Sequence, residues 1–307
     1  MAFTAKDVQA LRERTGVGMM DCKKALTESD GDMEKAIDFL REKGLAAAAK
    51  KAGRIAAEGV VVAYQDAEKQ IGVLVEVNSE TDFVAKNADF QTFGLDVAKT
   101  VAQANPADVD ALLAATLAGS DRSVQENLQD KVLSIGENLK IRRFARVEGI
   151  VSTYIHMGGA VGVMVQLEAD TAAAAKPEFA VMGKDIAMQI AAMSPQYLDR
   201  EGVPADVLEK EKVILMAQIK EDPKMANKPD MVIEKIVVGK VDKFYLESCL
   251  LEQKFVKDDE ITVLAYVNSV AKDLGADIKV VGFTRFAKGE GLQKKEDNFA
   301  EEVASMM

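Results

Sequence analysis

The sequence predicts an α+β protein built from several parts. These are three short helices, a sheet-plus-helix unit present twice, a helical hairpin inserted into the second copy, and a short C-terminal helix. Three observations predict it. Apolar residues up to position 44 recur at helical spacing between stop signals, a long block recurs 90 residues further on, and the stretch from Pro204 to Gln253 has helical character broken once. At 307 residues the chain is long enough to bury a core and carry appendages.

Thr4 followed by Asp7 resembles a capping box, and Val8 and Leu11 share a helix face until Gly16 stops it. Met19, Cys22 and Leu26 form one stripe of a second helix. Met33, Ala36, Ile37 and Leu40 repeat as i, i+3, i+4, i+7 in a third, closed by Gly44. The Ala- and Lys-rich run from Leu45 to Ala57 reads as a helical linker, so residues 1–54 form a three-helix N-terminal domain and its linker. Beyond it, Glu58–Val61 recurs as Glu148–Val151, Tyr64 as Tyr154, and Ile71–Val75 as Val161–Val165, all 90 residues on. Phe90 and Pro106 recur as Phe179 and Pro195 after 89, one residue having slipped. Each copy reads as a two-strand hairpin followed by a helix, such as Phe90 to Ala102 with Phe93, Val97 and Val101 on one face. A third strand completes each sheet, since Lys140–Phe144 is echoed by Lys279–Phe283.

The two core subdomains therefore span 55–147, and 148–203 with 254–292. Inserted between the two parts of the second is a helical hairpin, 204–253, with its break between Glu221 and Pro229. Val207, Leu208, Val213, Met216 and Ile219 give one arm an apolar face, and Val232, Ile233, Ile236, Val237 and Val241 give the other. A short helix is expected near Thr262 to Leu274, and a last one near Phe299 to Ala304 within 293–307.

A formal net charge of -11 disfavours direct nucleic-acid binding, which needs a surplus of Lys and Arg. The pairs Lys50-Lys51 and Arg142-Arg143 read as solvated faces. Two cysteines far apart, Cys22 and Cys249, argue against a disulfide framework and fit a reducing cytosol. The start, MAFTAKDVQALRERTG, has no apolar signal region and no later run reaches membrane-spanning length, so a cytoplasmic protein away from membranes is expected.

Neither a G-x-x-x-x-G-K-[ST] loop nor a strand-to-helix G-x-G-x-x-G occurs, and Met157–Gly162 reads as a hairpin turn. One histidine and two distant cysteines do not supply a metal site, so no cofactor and no metal are expected. His156 is the only histidine. Beside a turn it reads as an exposed polar residue or a contact to a partner, with catalysis a third option. The 50 carboxylates are spread along helix faces and nominate no acid–base pair, so no enzyme active site is expected.

One stretch breaks the repeat. Asn78–Asn87 (NSETDFVAKN) aligns with Glu168–Pro177 (EADTAAAAKP), so Thr81 and Lys86 have counterparts in Thr171 and Lys176, whereas Asp82-Phe83 faces Ala172-Ala173. The fold thus has no general need for Asp82 and Phe83, which points to function. The alternative is that Phe83 fills a core gap peculiar to the first unit while Asp82 caps the next turn or helix.

TGVGMMDCKKAL (Thr15 to Leu26), SETDFVAKN (Ser79 to Asn87) and YIH (Tyr154 to His156) strongly resemble the bacterial elongation factor Ts family, and the resemblance spans essentially the whole chain. It implies a ubiquitin-associated-like N-terminal domain and guanine-nucleotide exchange on elongation factor Tu without covalent chemistry. It further implies that a tip of Thr81, Asp82, Phe83 and Val84 inserts near the partner's Mg²⁺ site to displace Mg²⁺ and GDP. Val17, Gly18, Met19, Met20, Lys23, Asn87 and His156 become further partner contacts, with Met19 equally readable as core packing. The resemblance leaves room for a homodimer within a heterotetramer. The competing reading is a non-catalytic helical scaffold or dimerising interaction protein built on the 204–253 hairpin, where heptad regularity is poor.

Overall fold

The computed structural model describes residues 3–221 and 229–293. Thr4 opens α1 (Ala5–Thr15) through a reciprocal capping box with Asp7, and Gly16 ends it in the left-handed region at φ 68°. Two more helices, α2 (Met19–Glu28) and α3 (Met33–Lys51), fold against it around a cluster that includes Leu11, Val17, Cys22, Leu26 and Leu40. Gly44 does not close α3. It is buried, and a Cβ there would lie 3.4 Å from the Gln129 carbonyl oxygen, so the glycine permits a close helix approach and the helix runs on. The Ala-rich run is thus mostly helix.

The first unit comprises β1 (Glu58–Asp66), β2 (Ile71–Ser79), a single turn α4 (Asp82–Ala85), α5 (Ala88–Ala104), α6 (Val109–Ala114), α7 (Val124–Ile135) and β3 (Lys140–Glu148). After Gly149 the second unit follows. It has β4 (Ile150–His156), β5 (Val161–Glu168), α8 (Thr171–Ala174), α9 (Pro177–Met193), the inserted pair α10 (Ala205–Glu221) and α11 (Asp230–Ser248), the small hairpin β6 (Lys254–Phe255) and β7 (Asp258–Thr262), then α12 (Val263–Leu274) and β8 (Lys279–Ala287). Both sheets are antiparallel, ordered β1-β2-β3 and β4-β5-β8, with the second strand of each hairpin central.

The duplication reaches into details. A register shift falls at Glu76/Val77 in one sheet and at Gln166/Leu167 in the other. Asn105 and Ser194 end α5 and α9 in the same left-handed conformation. Each sheet packs one face on its own helices. The opposite faces meet each other through Val61, Leu74, Val151, Met164 and Phe286. Two equivalent glycines allow this contact: a Cβ on Gly72 would lie 2.6 Å from Met164 Sδ, and one on Gly162 would lie 2.4 Å from Val61 Cγ1. β2 is consequently buried along its whole length.

Beside this contact lies a fully buried carboxylate. Glu76 accepts hydrogen bonds from Arg142 Nη1 (3.0 and 3.2 Å), Arg143 Nε (2.6 Å), Asn78 Nδ2 (3.1 Å) and the Gly289 N–H (2.8 Å). The Arg143 guanidinium also stacks 4.2 Å above the Phe286 ring. Burial pushes the Glu76 carboxyl up, but these four donor groups outweigh it and hold the carboxyl below its ordinary value.

In the inserted pair, Leu215, Ile219, Ile233, Val237 and Val241 meet, with Leu208 and Ile236 half-buried alongside. Val213, Met216 and Val232, expected on these faces, are exposed. Val213 lies five residues beyond Leu208, about 140° round the helix, which turns it away from the partner helix. The break expected at 222–228 and the last helix expected within 294–307 lie outside the described residues.

Gly162→Ala should force Val61 aside and cost about 1–3 kcal/mol of overpacking, read as a lower denaturant midpoint at unchanged m. Because the native Glu76 carboxyl titrates below 4.5, its unfolded value, its contribution is complete above that pH and is lost as pH falls through the lower native value. Glu76→Gln should therefore flatten the acid limb of the stability–pH curve, measured by urea unfolding across that range.

Candidate functional site

β2 ends at Ser79, whose hydroxyl donates to the Thr81 carbonyl (2.9 Å), and the chain turns there into α4. Glu137, in the connection from α7 to β3, grips this turn. Its Oε1 accepts from the Thr81 hydroxyl (2.6 Å), and its Oε2 accepts from the Glu80 and Thr81 N–H groups (3.0 Å each). In return Glu80 Oε1 accepts from the Asn138 N–H (2.6 Å) and from Arg54 (3.4 Å).

Within α4, Val84 and Ala85 enter the core of the first unit, whereas Phe83 is 79 % exposed. Phe90, one element further on, is fully buried. Phe83 therefore fills no core gap. Asp82 caps nothing either: it pairs with Lys86 Nζ at 2.6 Å, and that ammonium stands 6.0 Å from the Phe83 ring centroid. The Lys86 hydrogen bond holds the Asp82 carboxyl below the ordinary aspartate value, with Lys288 acting in the same direction. At the matching place in the second unit, Asp170 caps α8 through the Ala173 N–H (2.8 Å) and Ala173 is buried.

Asn87 is the N-cap of α5, its Oδ1 accepting from the Asp89 N–H (2.8 Å) and the Phe90 N–H (3.3 Å). Val17 belongs to the N-terminal core, while Gly18, Met19, Met20 and Lys23 lie on its surface, Met20 at 75 % exposure. Gly16 and Phe83 line one open cleft of about 420 Å³, together with Lys131 and Ser134. The N-terminal helices and the tip thus share a face.

His156 is the last residue of β4, exposed, with Nδ1 3.0 Å from the Tyr154 hydroxyl oxygen. The turn after it uses Met157 (φ 47°) and Gly158 (φ 63°), and the Gly159 carbonyl accepts from the Val61 N–H at 2.8 Å. Lys288 ties this turn to the tip. Its N–H donates to the Ala160 carbonyl (2.9 Å) and its ammonium pairs with Glu58, which lies across from Ser79. His156 and Asp82-Phe83 therefore sit at the same end of the paired sheets.

Both cysteines are free and buried, and burial pushes the Cys249 thiol up to about 11, which opposes thiolate chemistry. Among the described residues, no three His, Cys, Asp or Glu side chains are placed to hold a metal ion, and no helix is long and apolar enough to cross a membrane.

By comparison with known proteins, this chain with its duplicated α+β core and N-terminal helical unit is a translation elongation factor. The family model described as Elongation factor TS matches residues 80–290. Elongation factor Ts of Trichlorobacter lovleyi is 53 % identical, covering 99 % of this chain and 98 % of its own. Those of Syntrophotalea carbinolica and Clostridium perfringens are each 49 % identical, covering at least 99 % of both chains. The chain belongs to the elongation factor Ts family.

Glu137, Glu80 and Asn138 escaped the sequence reading because the contacts that join residues 80–81 to 137–138 span more than fifty residues. Lys86 escaped because it has a counterpart in Lys176. Phe83→Ala should change unfolding free energy by no more than about 0.5 kcal/mol, against about 3–5 kcal/mol for Phe90→Ala, compared by urea denaturation.

Proposed function

We propose that this chain is a cytoplasmic guanine-nucleotide exchange factor for elongation factor Tu, working by non-covalent contact and without chemistry of its own. The observation that carries the reading is a phenylalanine 79 % exposed on a turn whose backbone is tied down, beside a carboxylate paired with Lys86. A GTPase holds nucleotide through backbone donors at a helix N-terminus and through Mg²⁺, and an exchange factor must oppose those contacts from outside. Phe83 acts as a wedge, gaining about 1.5–3 kcal/mol on burial in the partner. Asp82 brings negative charge towards phosphates and Mg²⁺. Thr81 and Val84 hold the wedge in place.

Val17 and Asn87 serve this interface through the backbone they shape, whereas Gly18, Met19, Met20, Lys23 and His156 offer surface directly. Separate buried clusters support parts at 1–54, 55–147, 148–203 with 254–292, and 204–253, with 293–307 as the tail. Exposed Val213, Ile214, Met231 and Val238 on the inserted helices support self-association within a heterotetramer.

Linkage requires that a factor weakening nucleotide be weakened by nucleotide in the same ratio. The full chain should accelerate release of fluorescent GDP from elongation factor Tu and bind the nucleotide-free GTPase more tightly. Folded Phe83→Ala and Asp82→Ala variants should each lose about tenfold or more in release rate, the equivalent of about 1.4 kcal/mol. Unchanged rates in both would remove the wedge, and equal binding with and without nucleotide would favour the scaffold.

A further inference from the structure

Glu137 lies in the connection between α7 and β3, far along the chain from the tip, yet one carboxylate takes three of the tip's donors. These are the Thr81 hydroxyl (2.6 Å) and the Glu80 and Thr81 N–H groups (3.0 Å each). Hydrogen bonds to an ionised acceptor are stronger than neutral ones, and these fix the two residues immediately before Asp82. The grip is reciprocal, because the Asn138 N–H donates to Glu80 Oε1 at 2.6 Å.

The duplication supplies an internal control. α7 and α12 are both twelve residues long and lie 139 positions apart. Ser123 and Thr262 cap their starts, and left-handed Gly136 and Gly275 end them. Leu139 and Ile278 are buried at matching places just beyond. In that register Glu137 faces Ala276, which has no side-chain acceptor. The second unit nevertheless forms the same four-residue turn, Thr171–Ala174, with a local cap from Asp170. A turn of this shape thus needs no distant carboxylate. Glu137 occurs in the unit that carries Asp82-Phe83 and is absent from the unit that carries Ala172-Ala173.

We propose that Glu137 is a positioning residue for the exchange tip: it clamps the backbone at Glu80 and Thr81 so that Phe83 and Asp82 meet the partner in one preset orientation. The inference rests on the exchange reading above. An exposed ring on an unclamped turn would have to be ordered at the moment of binding, and that entropy is removed in advance by the clamp.

The test is stopped-flow release of fluorescent GDP from elongation factor Tu by the full chain, comparing wild type, Glu137→Ala, Glu137→Gln, Phe83→Ala and the double variant Glu137→Ala/Phe83→Ala. Glu137→Ala should slow maximal release about tenfold, in line with the penalty for misplacing a working group by a fraction of an ångström. Glu137→Gln, which keeps an acceptor oxygen, should recover part of the loss. In the Phe83→Ala background the Glu137→Ala change should cost clearly less than it does in the wild type, since only Asp82 is left to aim. Amide hydrogen exchange should quicken at residues 80–86 and stay unchanged in α5 and β2.

Wild-type rates for Glu137→Ala, or an undiminished loss in the Phe83→Ala background, would overturn the clamp while leaving the exchange reading intact. A wild-type chain that fails to speed release, or a Phe83→Ala variant as fast as wild type, would overturn the tip reading and the clamp with it. If Glu137→Ala does not fold, Glu137→Gln carries the same comparison in both backgrounds.

Discussion

Everything at the end of the molecule that carries Asp82 and Phe83 depends on how closely the two duplicated sheets approach each other. A sheet with one face on its own helices and the other on a second sheet must have small residues where the backbones come nearest, and Gly72 and Gly162 occupy those places. The contact is symmetric because the residues come from the duplication: Val61 with Val151, Gly72 with Gly162, Leu74 with Met164. Around it the symmetry is deliberately incomplete. Glu76 is a buried carboxylate where the second unit has Gln166, and it draws Arg142, Arg143 and the Gly289 N–H together. An ion cluster of this kind costs desolvation and is stable only with its donors complete. In return it fixes the segment after β8, from which Lys288 reaches both the His156 turn and Glu58.

The tip follows from that frame. β2 is held on both sides and ends at a defined point, so the turn after Ser79 leaves the sheet in a fixed direction. One side of that turn is anchored by Val84 and Ala85 in the core and the other by Glu137, which leaves Phe83 with no direction but outward. An exposed aromatic ring contributes little to the stability of the free chain and exposes apolar area to water. A ring exposed at a rigid position fits the contact surface proposed above. Lys86 offsets the Asp82 charge in the free molecule without burying it.

The N-terminal helices are joined to this end by a rigid element. α3 runs unbroken to Lys51, whose ammonium reaches the Val132 carbonyl at 3.5 Å, and Gly44 lets the helix lie close to α7. Gly16 and Phe83 line one open cleft together with Lys131 and Ser134 of α7. The methionines at the start of α2 are therefore carried by a framework continuous with the tip, and both surfaces lie on one face of the molecule.

Much of this was legible in the sequence, and the reason is locality. The capping box at Thr4, the periodic stripe of α3, the hairpins, the turn at Gly158 and the difference between Asp82-Phe83 and Ala172-Ala173 are all signals carried by neighbours or by the repeat register. What the sequence left out depends on partners distant along the chain. Gly44 looks like a helix stop until its neighbour at Gln129 is seen. α6 and α7 lie where the repeat offset changes from 89 to 139 across the inserted hairpin, so the match at 90 does not reach them. Val17 carries a motif position and a core position at once. Val213 and Leu208 look equivalent in composition, but only the packing of α10 on α11 selects one of them. The sequence by itself determined that one turn of the duplicated core is special. Only the tertiary structure decided that its ring points outward and that a carboxylate from the connection between α7 and β3 holds it there, because side-chain direction is set by contacts between residues far apart in the chain.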